Sequence, residues 1–142
     1  MTVSVRNDQR NAPVKTARVV RLARRAIRQL AIAGGGELAI TFLDDRRMRT
    51  LNRRFMRHDR ATDVLTFRYD GEPTVGEIFI SPARARAYAN RHGIAYEHEL
   101  SRYVVHGLLH WLGREDRTKT EQASMRRAED RLLAACGVNG AG

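Results

Sequence analysis

The sequence predicts an α+β fold: a single compact domain over 1–142, with a small mixed sheet of about four strands covered by about five helices. Three observations lead there. The length suits one domain with a real core and is too short for two. Strand-type runs gather between Leu38 and Ile80, and segments with helical spacing of apolar residues flank them on both sides. No internal repeat or low-complexity linker interrupts the chain; its composition breaks are Gly34-Gly35-Gly36 and the glycine-containing tail after Cys136.

The first helix is expected to open near Pro13, a good first-turn residue, with Val20, Ala23, Ile27 and Leu30 on one stripe and the three glycines as its stop. Its arginines then face water. An Arg-rich amphipathic helix near an N-terminus is also the pattern of a transit peptide or a membrane-surface helix, a reading disfavoured because the later elements need something to cover them. Leu38 to Leu43 reads as a strand, and Asp44 is placed to cap a helix over roughly 45–56. Val64 to Phe67 is a second strand, Tyr69-Asp70-Gly71-Glu72-Pro73 is turn chemistry, and Val75 to Ile80 returns, so these two strands are expected to form an antiparallel hairpin. Ser81-Pro82 starts a helix that Gly93 ends, and a further helix runs from about Tyr96 to Leu112 and stops at Gly113. Thr118 with Glu121 forms a capping-box pattern, opening a last helix with Met125, Ala128, Leu132 and Ala135 inward.

Composition narrows the function classes. No stretch approaches the roughly 20 apolar residues of a membrane span, and MTVSVRND has neither an apolar signal core nor a cleavage site, so a cytoplasmic protein without a membrane partner is expected. Cys136 is the only cysteine; disulfides are excluded, and this thiol reads as a packing residue. A net charge of +10 and a pI near 11.1 favour polyanionic partners. The excess is nearly all arginine, Lys15 and Lys119 being the only lysines, and guanidinium matches phosphate geometry bidentately.

The chemistry concentrates after residue 102. His106 and His110 stand four apart on an expected helix, which puts both imidazoles on one face where they can share a metal ion. Gly113 lets the chain turn back, so that Asp116, three positions later, can reach the same ion. Two imidazoles and a carboxylate leave a coordination position open, the pattern of a catalytic zinc site. A His-x-x-x-His pair alone is commonly without function, but here a glycine and an acid follow at the right interval. Gly107 inside the helix costs about 0.8–1.0 kcal/mol against alanine, which a purely structural helix has little reason to accept. Zinc peptidases carry glutamate next to the first histidine as general base, and Gly107 occupies that place, which disfavours a peptidase; Glu115 is the substitute. Trp111 and Leu108, with Leu100 and Val104, read as core. His98 is a further histidine two turns before His106, read as a partly exposed helix residue, and His58 and His92 carry no signal.

On the helix over roughly 45–56, Arg46, Arg49 and Arg53 fall on one side and Met48, Leu51 and Phe55 on the other. Arg57 and Arg60 extend the stripe if the helix continues. Like charges on one side repel unless something anionic lies there, so RNA or another polyphosphate is weighed evenly against simple solvation.

Taken in order, Leu51-Asn52, Asp59, Thr62-Asp63-Val64-Leu65-Thr66-Phe67, Gly76-Glu77-Ile78 before Ile80, Glu99-Leu100, His106-Gly107-Leu108-Leu109-His110 with Gly113, and Met125 with Glu129 resemble the YbeY-type endoribonucleases, bacterial ribosomal RNA maturation and ribosome quality-control factors. The resemblance implies a compact α+β fold, a zinc ion, and metal-dependent cleavage of single-stranded RNA, including processing at the 3′ end of small-subunit ribosomal RNA, with the small ribosomal subunit as partner. Two positions depart from the family pattern. The third ligand in the family is usually a histidine in a Gly-Tyr-Asp-His ending, where this chain has Gly113-Arg114-Glu115-Asp116. An aspartate there brings negative charge, which makes the ion a weaker electrophile and admits manganese more readily. The family arginine shortly after Leu51-Asn52 is replaced by Met56, and Arg57 is the nearest substitute, with Arg53 and Arg54 as alternatives.

The resulting expectation is a single-strand-directed endoribonuclease with Zn²⁺ held by His106, His110 and Asp116, Arg57 offsetting charge on phosphorus and Glu115 as reserve base. The rivals are a zinc-dependent peptide or amide hydrolase and a ribosome-associated RNA-binding factor without chemistry.

Overall fold

A computed structural model describes residues 1–32, 34–55, 63–69 and 74–138. The order of elements is β1 (Thr2–Asp8), α1 (Thr16–Gln29), β2 (Gly36–Leu43), α2 (Asp45–Phe55), β3 (Val64–Tyr69), β4 (Thr74–Ile80), α3 (Pro82–His92), α4 (Tyr96–Trp111) and α5 (Lys119–Ala135). The expected α+β architecture is therefore present, with one four-stranded mixed sheet and five helices among the described residues. Its spatial order is β1-β2-β4-β3. β1 runs parallel to β2 and β2 parallel to β4, while β3 and β4 form the expected antiparallel pair, with Val64 opposite Ile80 and Thr66 opposite Ile78.

The alternation of side chains along the strands divides the molecule into layers. Leu38, Ile40 and Phe42 of β2 and Ile78 and Ile80 of β4 are fully buried on one face, where α1, α4 and α5 bring Val19, Leu22, Val104, Leu108, Met125 and Leu133 into the main core. On the opposite face Met48 of α2 packs with Leu43 and Leu65, joined by Leu51, Phe67 and Phe79. α2 and α4 thus lie across the sheet from one another.

Glycine spacing sets how close α4 comes to the sheet. A β-carbon built at Gly107 would stand 2.6 Å from Ile78 Cγ2, and one at Gly76 would stand 2.5 Å from Trp111 Nε1. Gly107 is therefore accounted for by packing: its helix-propensity cost is offset by the close approach of α4 to β4, and no catalytic reason is needed for it. Thr66 Oγ1 donates to the Gly107 carbonyl at 3.4 Å, and Arg68 Nη1 donates to the Trp111 carbonyl at 3.0 Å, tying β3 to the same helix.

Several local expectations hold. Asp44 accepts from Arg47 N at 2.9 Å, Ser81 accepts from Arg84 N with Pro82 in the first turn, Gly93 closes α3 at φ +64°, and Thr118 and Glu121 form the reciprocal capping box. Cys136 is buried, and burial pushes its thiol pKa up, as befits a packing residue.

Others need correction. The first helix opens at Thr16, three residues after Pro13, and its buried side is Val19, Leu22, Ala23, Ala26 and Ile27, with Val20 and Leu30 at its margin. It ends before the glycines: Ala31 takes φ +52° while Ala31 N donates to Arg28 O and Ile32 N to Ile27 O, the paired hydrogen bonds of a Schellman turn. Tyr69 belongs to β3. In α5 Leu133 is buried and Ala135 is exposed, and Cys136, just past the helix end, is buried. Phe55 is 55% exposed, edge-on to Phe67 with the Arg54 guanidinium over its ring, and it is Asn52 that joins Met48 in being buried on α2. β1 has no counterpart among the segments read as strands from sequence.

Candidate metal centre

The centre begins with the helical repeat. Residues 99, 103, 106 and 110 return to one side of α4 at 100° per residue, away from the side on which Gly107 meets β4. Glu97 and Glu99 in the first turn suit the helix dipole. At the other end Gly113 takes φ +97°, Gly113 N donates to His110 O at 2.9 Å and Arg114 N donates to Leu109 O at 3.0 Å. This Schellman turn reverses the chain within two residues and brings Asp116 back over the histidines.

Asp116 Oδ2 lies 3.5 Å from His106 Nε2 and 3.3 Å from His110 Nε2. Each of the three residues offers one ligand atom, and these atoms all fall within 4.8 Å of one another. The two spacings exceed the roughly 2.7–2.9 Å of a charge-assisted hydrogen bond. They match the edge of a tetrahedron with bonds of about 2.0–2.1 Å, which is about 3.3–3.4 Å. The donor set therefore fits a small divalent ion, and imidazole with carboxylate suits zinc and its neighbours in the transition series. The three side chains are 23%, 29% and 35% exposed, open on one side to a cavity of about 540 Å³.

That cavity extends two turns along α4. Asp63, Tyr88, Glu99, Tyr103 and Arg126 line it beyond the ligands. Burial pushes the Tyr103 hydroxyl above its ordinary pKa, reinforced by Asp63 and Glu99, and burial raises the Glu99 carboxyl despite the nearby Arg102. Glu99, Arg102 and Glu129 are 2%, 7% and 4% exposed, a cluster of charges inside the protein. Glu129 Oε1 accepts from Arg102 Nη1 at 2.9 Å, Glu129 Oε2 meets His106 Nδ1 at 2.5 Å, and Arg102 Nη2 donates to Asp130 at 2.7 Å. Arg102 Nε stands 3.8 Å from Glu99 Oε1, an ion pair without a hydrogen bond. Burial acts to lower the Arg102 pKa, but the hydrogen bonds and the charges of Asp130 and Glu129 together hold it raised.

Of the residues singled out from sequence, His106, His110 and Asp116 come together. Glu115 is exposed and paired with Arg117 at 3.0 Å, outside the cavity lining. Arg57 lies outside the described residues, as do Met56, His58, Asp59, Arg60 and Thr62. Arg46, Arg49 and Arg53 are exposed on α2 and are not in the lining of the metal cavity; among the described residues Arg102 and Arg126 are. His98 is half-buried against a neighbouring cavity with Arg102, Arg126 and Asp130, and burial lowers its pKa. His92 stacks on Tyr88. Trp111, Leu108, Leu100 and Val104 are core, as expected. Glu129 and Arg102 were not assigned a role from sequence. The available signal was an acid at position 129 on the inward stripe of α5, one helical turn from Met125.

Known proteins similar in sequence to this chain share one description. A sequence profile of the family described as endoribonuclease YbeY matches residues 4–137. A protein from Bacteroides thetaiotaomicron described as endoribonuclease YbeY is 39% identical over 100 residues, covering 70% of this chain and 73% of that one. One of the same description from Flavobacterium psychrophilum is 36% identical over 99 residues, covering 69% and 71%. The solution structure of a Thermotoga maritima protein superposes with a TM-score of 0.61 over 94% of this chain and 90% of that one; at 21% identity it supports the fold alone.

Proposed function

This chain belongs to the endoribonuclease YbeY family, and from that premise we propose that it is a metal-dependent endoribonuclease specific for single-stranded RNA, acting in ribosomal RNA maturation at the 3′ end of the small-subunit RNA and in ribosome quality control. The observation that supports the metal dependence is the convergence of His106, His110 and Asp116 on an open cavity, with both histidine–aspartate separations at tetrahedral spacing. We assign the ion as Zn²⁺. When bound, it supplies Lewis acidity toward a phosphodiester oxygen and lowers the pKa of an adjacent water.

The chain's own residues do the rest. Arg126, on the cavity wall, is the proposed contact for an RNA phosphate, while Arg102 is engaged by Glu129 and Asp130. Arg57 is the proposed group that offsets charge developing on phosphorus, and Glu115 the proposed base, reaching the site from its place beside Asp116 once Arg117 is exchanged for solvent. A peptidase-type base next to His106 has no room, because any side chain at position 107 is directed into Ile78. The small ribosomal subunit is the proposed partner, and the cytoplasm the proposed place of action; no helix among the described residues is long and apolar enough to cross a membrane.

The test is metal content and cleavage of a single-stranded RNA, measured side by side for wild type, His110→Ala and Asp116→Ala. Wild type is expected to hold about one equivalent of zinc and to cleave, and both variants to lose the two properties together. Full zinc in Asp116→Ala would remove it from the ligand set, and unchanged cleavage by His110→Ala would remove the metal from the reaction. Glu115→Gln is expected to keep its zinc and to lose about 10²-fold or more in kcat.

A further inference from the structure

Glu129 meets His106 at Nδ1, the ring nitrogen other than the one that faces Asp116, and Arg102 holds the same carboxylate by its other oxygen. We propose that Glu129 and Arg102 are positioning residues for His106, fixing its proton on Nδ1 and so leaving Nε2 as the lone-pair atom that faces Asp116 and the cavity. The consequence for metal rests on the metal-centre reading above; the positioning rests on hydrogen-bond arithmetic.

Arginine has donors and no acceptor, and an ionised carboxylate has acceptors and no donor. Arg102 Nη1 occupies Oε1 of Glu129, which leaves Oε2 to the imidazole at 2.5 Å. A neutral imidazole in contact with a carboxylate must place its single proton there, and the opposite nitrogen is then free for a metal. Arg102 is itself pinned by Asp130 on Nη2 and by the charge of Glu99 near Nε, so it cannot turn away from Glu129 without leaving a buried charge unpaired. His110 has no such partner: among the described residues its polar contact is Nε2 with Asp116.

The same arithmetic predicts an unusual outcome for an isosteric change. In Glu129→Gln two donors compete for one carbonyl oxygen. Arg102 can only donate, so the carbonyl turns to it and the amide NH₂ is presented to His106 Nδ1. The proton on His106 then moves to Nε2, the atom that must be bare to bind an ion. Removing the competitor reverses this: in Arg102→Met/Glu129→Gln the carbonyl is free to accept from His106 Nδ1. The second substitution therefore repairs the first, which loss of packing alone would not do.

The experiment is ¹⁵N NMR of the imidazoles in metal-free protein at about pH 8.5, some two units above an ordinary histidine pKa, together with zinc affinity by chelator competition. Wild type is expected to show His106 as the Nδ1–H form and His110 as a mixture. Glu129→Gln is expected to switch His106 to Nε2–H and to weaken zinc by about 10–100-fold, and the double variant to regain the Nδ1–H form and about tenfold or more of the affinity. The proposal is overturned by a wild-type His106 in the Nε2–H form, by a Glu129→Gln protein that keeps Nδ1–H with unchanged zinc affinity, or by a double variant no tighter than Glu129→Gln. Should Glu129→Gln fail to fold, the wild-type spectrum still decides. A wild type that shows Nδ1–H at His106 yet takes up no zinc overturns the metal reading and supports the positioning.

Discussion

Helix α4 has two sides that obey different rules. Toward the sheet it presents Val104, Gly107, Leu108 and Trp111, buried among apolar neighbours and fitted closely enough that a single added carbon at position 107 collides with Ile78. Toward the cavity it presents Glu99, Arg102, Tyr103, His106 and His110, where buried charges are held by one another and the two histidines are partly open to water. The first side is fixed by volume and the second by a count of donors and acceptors. Stability should therefore be concentrated on the first and chemistry on the second, and substitutions ranked by their effect on folding should rank in nearly the reverse order for metal binding.

The largest expected loss of stability is at Leu108, which is fully buried. Leu108→Ala should cost about 2–5 kcal/mol in urea unfolding, with zinc affinity of the remaining folded protein unchanged. Gly107→Ala should follow at about 1–3 kcal/mol, because the gain in helix propensity does not offset the overlap with the stiff Ile78 side chain. A neutral or stabilising Gly107→Ala would break the contrast, since it would mean that α4 is free to move off the sheet.

Glu99 bridges the two regimes, being charge-bearing and buried. Its pKa is raised, so between the ordinary carboxyl value and the raised one the native state keeps a proton that the unfolded chain has released. The contribution to stability is full below the ordinary value and is lost as pH rises through the raised one. Glu99→Gln, which cannot ionise, should flatten this fall when unfolding free energies are compared from about pH 4 to about pH 8. A slope as steep as wild type would assign the pH dependence to another group. The smallest change in folding is expected for Asp116→Ala, within about 0.5 kcal/mol because the residue is partly exposed beyond the helix end, although this same variant should lose its zinc.

The two sides also differ in how far they could be read from sequence. The histidine pair, its glycine and the acid three positions on lie within one local stretch, and caps such as Asp44, Ser81 and Thr118 announce their helices by side-chain chemistry alone. What was hidden depends on partners distant in sequence. β1 alternates only through Val3 and Val5 before Arg6, Asn7 and Asp8, a pattern too short to announce a strand, and it is held by parallel pairing with β2. The reason for Gly107 is Ile78, and the reason for an acid at position 129 is His106 and Arg102; neither partner is visible from the residue's own neighbours. The stop of α1 falls at Ala31, where an alanine takes the left-handed conformation for which the three glycines that follow are the better suited residues, so composition points past it.

The turn at Gly113 has a thermodynamic consequence for measurements on the whole protein. It places all three donors between positions 106 and 116, so an ion at this centre closes only short loops, and a denatured chain that still samples helix around His106 and His110 keeps part of the affinity. Binding to the unfolded ensemble subtracts from the stabilisation that a native-state dissociation constant alone would give. Zinc should accordingly raise Tm by less than its affinity for the folded protein implies, and the shortfall would measure how much of the site persists in the denatured chain.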